Sequence, residues 1–227
     1  MNVPAHKVAS FELVDIGLIQ KMARTGKPLI MSTGMASEDE IAEAVDAARA
    51  AGATQLALLK CTSAYPAPAE ESNLRTIPEL ARRFLCPVGL SDHTLGVAVP
   101  IVAVALGACI IEKHLCLQRS DVGPDSAFSL EPQEFKAMVE AVRTAEKALG
   151  VVQFASGPRE ANSRKFRRSL FVVEDVKKGE MFTKQNVRSI RPAAGLHPRH
   201  LQEVLGKTAA QDVERGTPLS WTLVAKS

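Results

Sequence analysis

From Lys7 to Leu149 the chain repeats one pattern: a short apolar run, an abrupt polar end, then apolar residues spaced three or four apart. Short apolar runs bounded by turn residues read as buried strands, and the wider spacing reads as amphipathic helices. The pattern predicts strands over 7–10, 28–32, 55–60, 87–91 and 108–113, with helices over 16–25, 37–51, 77–84, 97–106 and 131–149. The second helix has the clearest signals. Ser37 stands at its start with Glu40 three residues on, as in a capping box, and Ile41, Ala44, Val45 and Ala48 form its apolar stripe. Gly52 suits its end. Glu131 and Pro132 open the last helix, where an acid and a proline fit the first turn.

Alternation of strand and helix predicts an α/β fold with a parallel sheet, either doubly wound or closed as a barrel. No GxGxxG follows any strand, which lowers the dinucleotide-binding option. Polar groups gather instead at every strand end: Ser10 and Glu12, Ser32 and Thr33, Thr62 and Ser63, Ser91 to His93, Glu112 and His114. Function spread over all strand ends is the plan of barrel enzymes, whereas doubly wound sheets concentrate it at a switch point. A closed barrel of this kind takes about eight strands. The five predicted here form its C-terminal part, about five βα units, and the other three are expected upstream of Lys7. On this reading residues 1–150 are a partial TIM (β/α)8 barrel.

The texture changes after Gly150. Residues 151–163 read as a linker with no apolar period, and 164–227 as a small, mostly β module. Strand-like runs fall at 169–173, 187–190, 207–210 and 219–224, with charged glycine turns at Lys177-Lys-Gly-Glu180 and Glu214-Arg-Gly-Thr217. The basic cluster at 164–168 is either a solvated face or a surface that meets an anionic substrate.

Composition narrows the function classes. A net charge of +3, one Trp and one Tyr argue against nucleic acid, and the apolar run at 97–106 is too short to span a bilayer. Cys61, Cys86, Cys109 and Cys116 form no CxxC and lie in or beside apolar runs, which suits free thiols in a reducing compartment, with the cytoplasm as the default.

The chemistry concentrates in two strand ends, Val88-Gly-Leu-Ser-Asp-His-Thr94 and Ile110-Ile-Glu-Lys-His114. Alternate residues of a strand share a face, so Ser91 aligns with His93 and Glu112 with His114. Two imidazoles and a carboxylate can hold a divalent cation, and this donor set suits Mn, Zn, Fe or Mg to differing degrees. Asp92 is expected either to bond loop amides or to orient a histidine. Lys60 reads equally as a strand terminus or a site residue. Glu12 reads as a helix-start acid, while His6, His197 and His200 sit in loop or polar contexts. Arg119 and Asp121 fall in a loop expected to cover the site.

Six motifs carry a resemblance to a known family: Lys7-Val-Ala-Ser-Phe-Glu-Leu-Val14, Met31-Ser-Thr-Gly-Met35, Thr62-Ser-Ala-Tyr-Pro66, Gly89-Leu-Ser-Asp-His-Thr94, Glu112-Lys-His114 and Gly123-Pro-Asp-Ser-Ala-Phe-Ser-Leu130. Their types and order resemble the sialic acid synthase family, whose members condense phosphoenolpyruvate with an N-acetylated amino sugar. The C-terminal module, with Arg191-Pro after its middle strand, resembles that family's SAF (antifreeze-like) domain. The wording of Ser10-Phe-Glu-Leu-Val-Asp15 and Ser126-Ala-Phe-Ser-Leu-Glu-Pro132 is most similar to the branch whose sugar is 2,4-diacetamido-2,4,6-trideoxy-altrose.

The resemblance implies roles. His93 and His114 match the two histidines that bind a divalent cation, Mn, Mg or Co. Lys7, Ser10, Ser32, Ser63 and Ser91 match the residues that hold phosphoenolpyruvate, with Ser63 standing where neuraminate synthases often carry Asn. Tyr65, Glu112 and Asp125 match positions that meet or shape the amino-sugar site, and the motif position of Glu12 adds it to the binding set. Arg191 matches the arginine that a second subunit's SAF domain inserts into the barrel mouth, implying a domain-swapped homodimer. A first-strand glutamate and a second-strand lysine and glutamine of the family belong to the part of the barrel expected upstream.

Overall fold

A computed structural model of the chain describes residues 2–121, 123–154 and 157–225. It divides into two compact units, Met1–Val151 and Val152–Ser227. In the first unit, β1 (His6–Val8), β2 (Leu29–Ser32), β3 (Leu56–Cys61), β4 (Val88–Asp92) and β5 (Ile111–Lys113) form one parallel sheet in sequential order. Between and after them run α1 (Ile16–Ala23), α2 (Glu38–Ala50), α3 (Thr76–Phe84), α4 (Ala98–Ala105) and α5 (Pro132–Leu149). The first strand is shorter than expected, because Ser10–Glu12 turns into a 3₁₀ helix. That turn lifts Ser10 off the strand and carries it towards β2, where its Oγ accepts the Gly34 N–H at 3.2 Å.

Helix starts follow their side chains. Ser37 Oγ accepts the Glu40 N–H at 3.3 Å and Glu40 Oε2 accepts the Ser37 N–H at 2.7 Å, so the capping box of α2 is complete. The stripe Ile41, Ala44, Val45 and Ala48 is buried. Asp15, and not Glu12, caps α1: its Oδ1 accepts the Leu18 N–H at 3.0 Å. The physical reason is distance, since Glu12 precedes the helix by a turn and Asp15 stands directly before it.

Strand alternation divides the residues of the sheet between its two faces. Val8, Leu29, Met31, Leu56, Leu58, Val88 and Leu90 pack with Ile19, Ile77, Leu80 and Phe84 into the core between sheet and helices. The opposite face carries Lys7, Ser32, Cys61, Ser91 and Glu112 near the strand ends. Lys7 on β1 and Glu112 on β5 would stand about 19 Å apart on a flat sheet, four strand spacings. Their charged atoms are 3.5 Å apart. The sheet therefore curls strongly towards the face that carries them, as a half-barrel does. Gly89 permits the last step of the curl: a Cβ there would lie 2.7 Å from Leu59 Cδ2 and from Ile110 Cβ, and closer still to the Ile110 carbonyl. No helix among the described residues is long and apolar enough to cross a membrane.

In the second unit β6 (Ser169–Val172) pairs antiparallel with β7 (Val187–Ile190). Leu170, Val172, Val176, Phe182, Val187, Val204 and Leu219 form its core. The two charged turns close as expected, with Gly179 at φ 85° and Gly216 at φ 91° supplying the left-handed positions. The runs at 207–210 and 219–224 make only single bridges, Met181 with Thr208 and Ala209 with Val224, and Trp221–Leu223 is a 3₁₀ turn. Turns this frequent leave too few residues for a longer ladder. The expected linker also contains one short helical segment, Pro158–Ala161, and a second, Asn162–Phe166, starts in it and runs into the basic cluster.

Candidate functional site

The strand ends bring most of the singled-out side chains of the first unit together. Lys7 Nζ donates to Ser32 Oγ at 2.8 Å, and Ser91 Oγ donates to Glu112 Oε1 at 2.7 Å. The same Glu112 oxygen faces Lys7 at 3.5 Å. A cation, two hydroxyls and a carboxylate thus line one stretch of the curled face. Gly34 links them to the next loops, since a Cβ on it would fall 2.8 Å from Ser10 Oγ and closer still to Ser63 Oγ. Only a residue without a side chain lets those two hydroxyls approach so near.

His93 and His114 follow directly after β4 and β5, and their rings stand 5.2 Å apart. Nδ1 of His93 is 2.9 Å from the Thr62 carbonyl oxygen, which leaves Nε2 as the nitrogen open to another partner. His114 Nδ1 lies 3.6 Å from Asp125 Oδ2. Tyr65 packs its ring 4.3 Å from His93, and buried Phe128 packs 5.1 Å from His114 and 5.5 Å from Tyr65. The two imidazoles therefore sit beside an aromatic wall drawn from two separate loops.

The electrostatics separate the pair. Burial pushes His93 down, but hydrogen bonding to Cys61 and to the Thr62 carbonyl outweighs it, and the imidazole titrates above its ordinary value. Burial also pushes His114 down, the neighbouring His93 adds to the effect, and the net shift is downward. Cys61, 3.8 Å from His93 Nδ1, is raised by burial but lowered further by hydrogen bonds to His93 and Ser10, to about 7. Burial lowers Lys60, which donates to the Cys61 carbonyl at 2.7 Å and to Thr62 Oγ1 at 3.3 Å on the helix side of the sheet.

Several residues fall elsewhere. Asp92 bonds a loop amide, Thr94 N–H at 2.9 Å, and makes no hydrogen bond to a histidine ring; the Thr62 carbonyl does that. Glu12 is exposed on its turn and joins none of these contacts. Arg191 lies in the second unit, exposed just after β7. Arg119 grips Glu134 on α5 and so ties down its loop. The other three histidines have local partners: His6 with Thr25, His197 with Arg199, and His200 with Glu203.

Cys61, Gly34 and Phe128 were not singled out by sequence. Period-two alternation back from Ser63 was a signal for Cys61, while Gly34 and Phe128 lay inside quoted motifs with nothing local to mark them. Among the described residues no three His, Cys, Asp or Glu side chains gather as a cation cage. The groups here that could hold a cation are the two imidazoles, with Asp125 as a neighbouring carboxylate.

Residues 1–154 match the NeuB family model and residues 167–225 match the SAF domain model. The chain is 45% identical over 221 residues to the pseudaminic acid synthase of Helicobacter pylori, covering 97% of this chain and 65% of that protein. It is 47% identical over 215 residues to the pseudaminic acid synthase of Campylobacter jejuni, covering 95% and 63%. The chain thus spans somewhat under two thirds of the length of these relatives. The crystal structure of spore coat polysaccharide biosynthesis protein SpsE from Bacillus subtilis superimposes with a TM-score of 0.62 at 34% identity, covering 98% of this chain and 68% of that one.

Proposed function

We propose, from the premise that this chain belongs to the NeuB family, that it is the catalytic-site and SAF portion of a pseudaminic acid synthase. Such an enzyme, a transferase, condenses phosphoenolpyruvate, 2,4-diacetamido-2,4,6-trideoxy-altrose and water to a nonulosonic acid; water supplies the new oxygen at C2 and phosphate leaves by C–O cleavage. The observation that carries the reading is the meeting of Lys7, Ser32, Ser91 and Glu112 beside the His93–His114 pair on one curled face.

Lys7 supplies positive charge, and the hydroxyls of Ser10, Ser32 and Ser63 supply donors, for the phosphate and carboxylate oxygens of phosphoenolpyruvate. Ser91 and Lys7 both hold one Glu112 oxygen, which leaves the other for the second substrate. In this reading Glu112, Asp125 and the Tyr65 ring contact or shape the amino sugar, with Glu12 at the rim.

A divalent cation, Mn, Mg or Co, fits the donor set: His93 has one nitrogen committed to Thr62, and His114 stands one strand away. When bound, the cation polarises the aldehyde of the open-chain sugar. The protein's own residues orient the reactants so that C3 of phosphoenolpyruvate faces that carbonyl. Arg191 is proposed to complete the mouth of a second subunit's barrel in a domain-swapped homodimer. A cytoplasmic location belongs to the same reading, supported by the four free cysteines and by the use of an intracellular phosphate ester.

The test is phosphate release from phosphoenolpyruvate by the protein expressed from its native gene. Release with the diacetamido-altrose, lost with chelator and restored by Mn²⁺, is the expected result. Release with N-acetylmannosamine in preference would overturn the substrate, and indifference to chelator would overturn the metal.

A further inference from the structure

We infer that the buried Asp92–Lys113 ion pair is the positioning device for His93 and His114. Lys113 Nζ lies 2.6 Å from Asp92 Oδ2, and each side chain is only 1% exposed. Asp92 and Lys113 are direct register partners and form the last rung of the β4–β5 ladder. Each histidine is the next residue along its chain. Strand parity sends the ion pair to the helix side and both imidazoles to the opposite face, so one rung sets where both rings leave the sheet.

The clamp extends past the rung. Asp92 Oδ1 accepts the Thr94 N–H at 2.9 Å, and Lys113 Nζ donates to the Thr94 carbonyl. The residues on both sides of His93 are thereby bound to the residue before His114. A slip of β5 against β4 would break both Lys113 bonds together. On the other face the Thr62 carbonyl fixes the rotation of the His93 ring.

Stability alone does not call for this arrangement, because an apolar pair of similar volume in a buried site is often as stable as an ion pair or more so. What apolar residues lack is direction. They can slide, whereas a carboxylate accepting from an ammonium and an amide at once holds one geometry. Outer partners of this kind commonly alter metal affinity 10–100-fold when removed.

The inference rests on His93 and His114 being the cation-binding pair, and the experiment separates the two ideas. The full chain is labelled with ¹⁵N-histidine and its ring signals are recorded without metal for the parent, Lys113→Met and the apolar double variant Asp92→Leu/Lys113→Met. Mn²⁺ affinity is then measured well below the melting temperature of each. In both variants the His93 and His114 signals are expected to shift or split, while those of His6, His197 and His200 stay in place. The double variant is expected to regain the thermal stability lost by Lys113→Met yet to bind Mn²⁺ roughly tenfold more weakly than the parent, or worse. If it regains parental ring signals and affinity together with stability, the pair is only a packing element and the inference falls. If the parent takes up no Mn²⁺, the metal reading falls, and the metal-free ring signals still decide the clamp.

Discussion

Gly89→Ala tests the curl on which the site depends. The new methyl would stand 2.7 Å from Ile110 Cβ and from Leu59 Cδ2, and closer still to the Ile110 carbonyl oxygen. That oxygen accepts the Leu90 N–H at 2.8 Å, so relief of the clash stretches a ladder bond between β4 and β5. Overpacking a tight core costs about 1–3 kcal/mol, and the weakened hydrogen bond adds roughly 0.5–1.5 kcal/mol. Together they give about 2–4 kcal/mol, which for a unit of this size lowers the melting temperature by roughly 5–15 °C. Far-UV circular dichroism follows the helices of the first unit. Trp221, the one tryptophan of the chain, reports by fluorescence on the second and serves as the internal control. A dichroism transition within about a degree of the parent's would refute the argument, because it would mean that β5 can retreat without cost.

Gly34→Ala acts on function more than on stability: the hydroxyls of Ser10 and Ser63 can rotate from the new methyl but then leave their places in the cradle. Calorimetric titration should show phosphoenolpyruvate binding weakened by roughly tenfold or more, the loss of a charge-assisted hydrogen bond, and unchanged binding would remove both serines from the cradle. Ser37→Ala removes the α2 cap and should lower stability by about 1 kcal/mol in denaturant titration, with no change in slope. Arg119, bonded through Nη1 and Nη2, holds the Glu134 carboxyl down at about 2, with the Glu131 N–H assisting. A depressed folded-state value means that this stabilisation is present above the ordinary carboxylate range and disappears as pH falls through about 2. Carboxyl ¹³C titration of Arg119→Ala should return Glu134 towards that range, and an unmoved titration would discount the pair.

The sequence by itself determined the parallel strand–helix alternation, the capping box at Ser37 and Glu40, the stripe from Ile41 to Ala48 and the two glycine turns of the second unit. These depend on side-chain spacing and on backbone preferences that act within a few residues, so they are present before any strand meets another. Local signals alone do not separate the two acids before α1: Asp15 caps it, while Glu12 stays on the preceding 3₁₀ turn. Strand parity also indicated which side chains share a face, and with it the shared direction of Ser91 and His93. Tertiary structure alone decided who meets whom. Register set Asp92 against Lys113, curl brought Lys7 within reach of Glu112 across three intervening strands, and loop packing laid Tyr65 and Phe128 beside the imidazoles. Those contacts join residues 14 to 105 positions apart in the chain, and their geometry follows from sheet twist and core packing, which no local window of sequence contains.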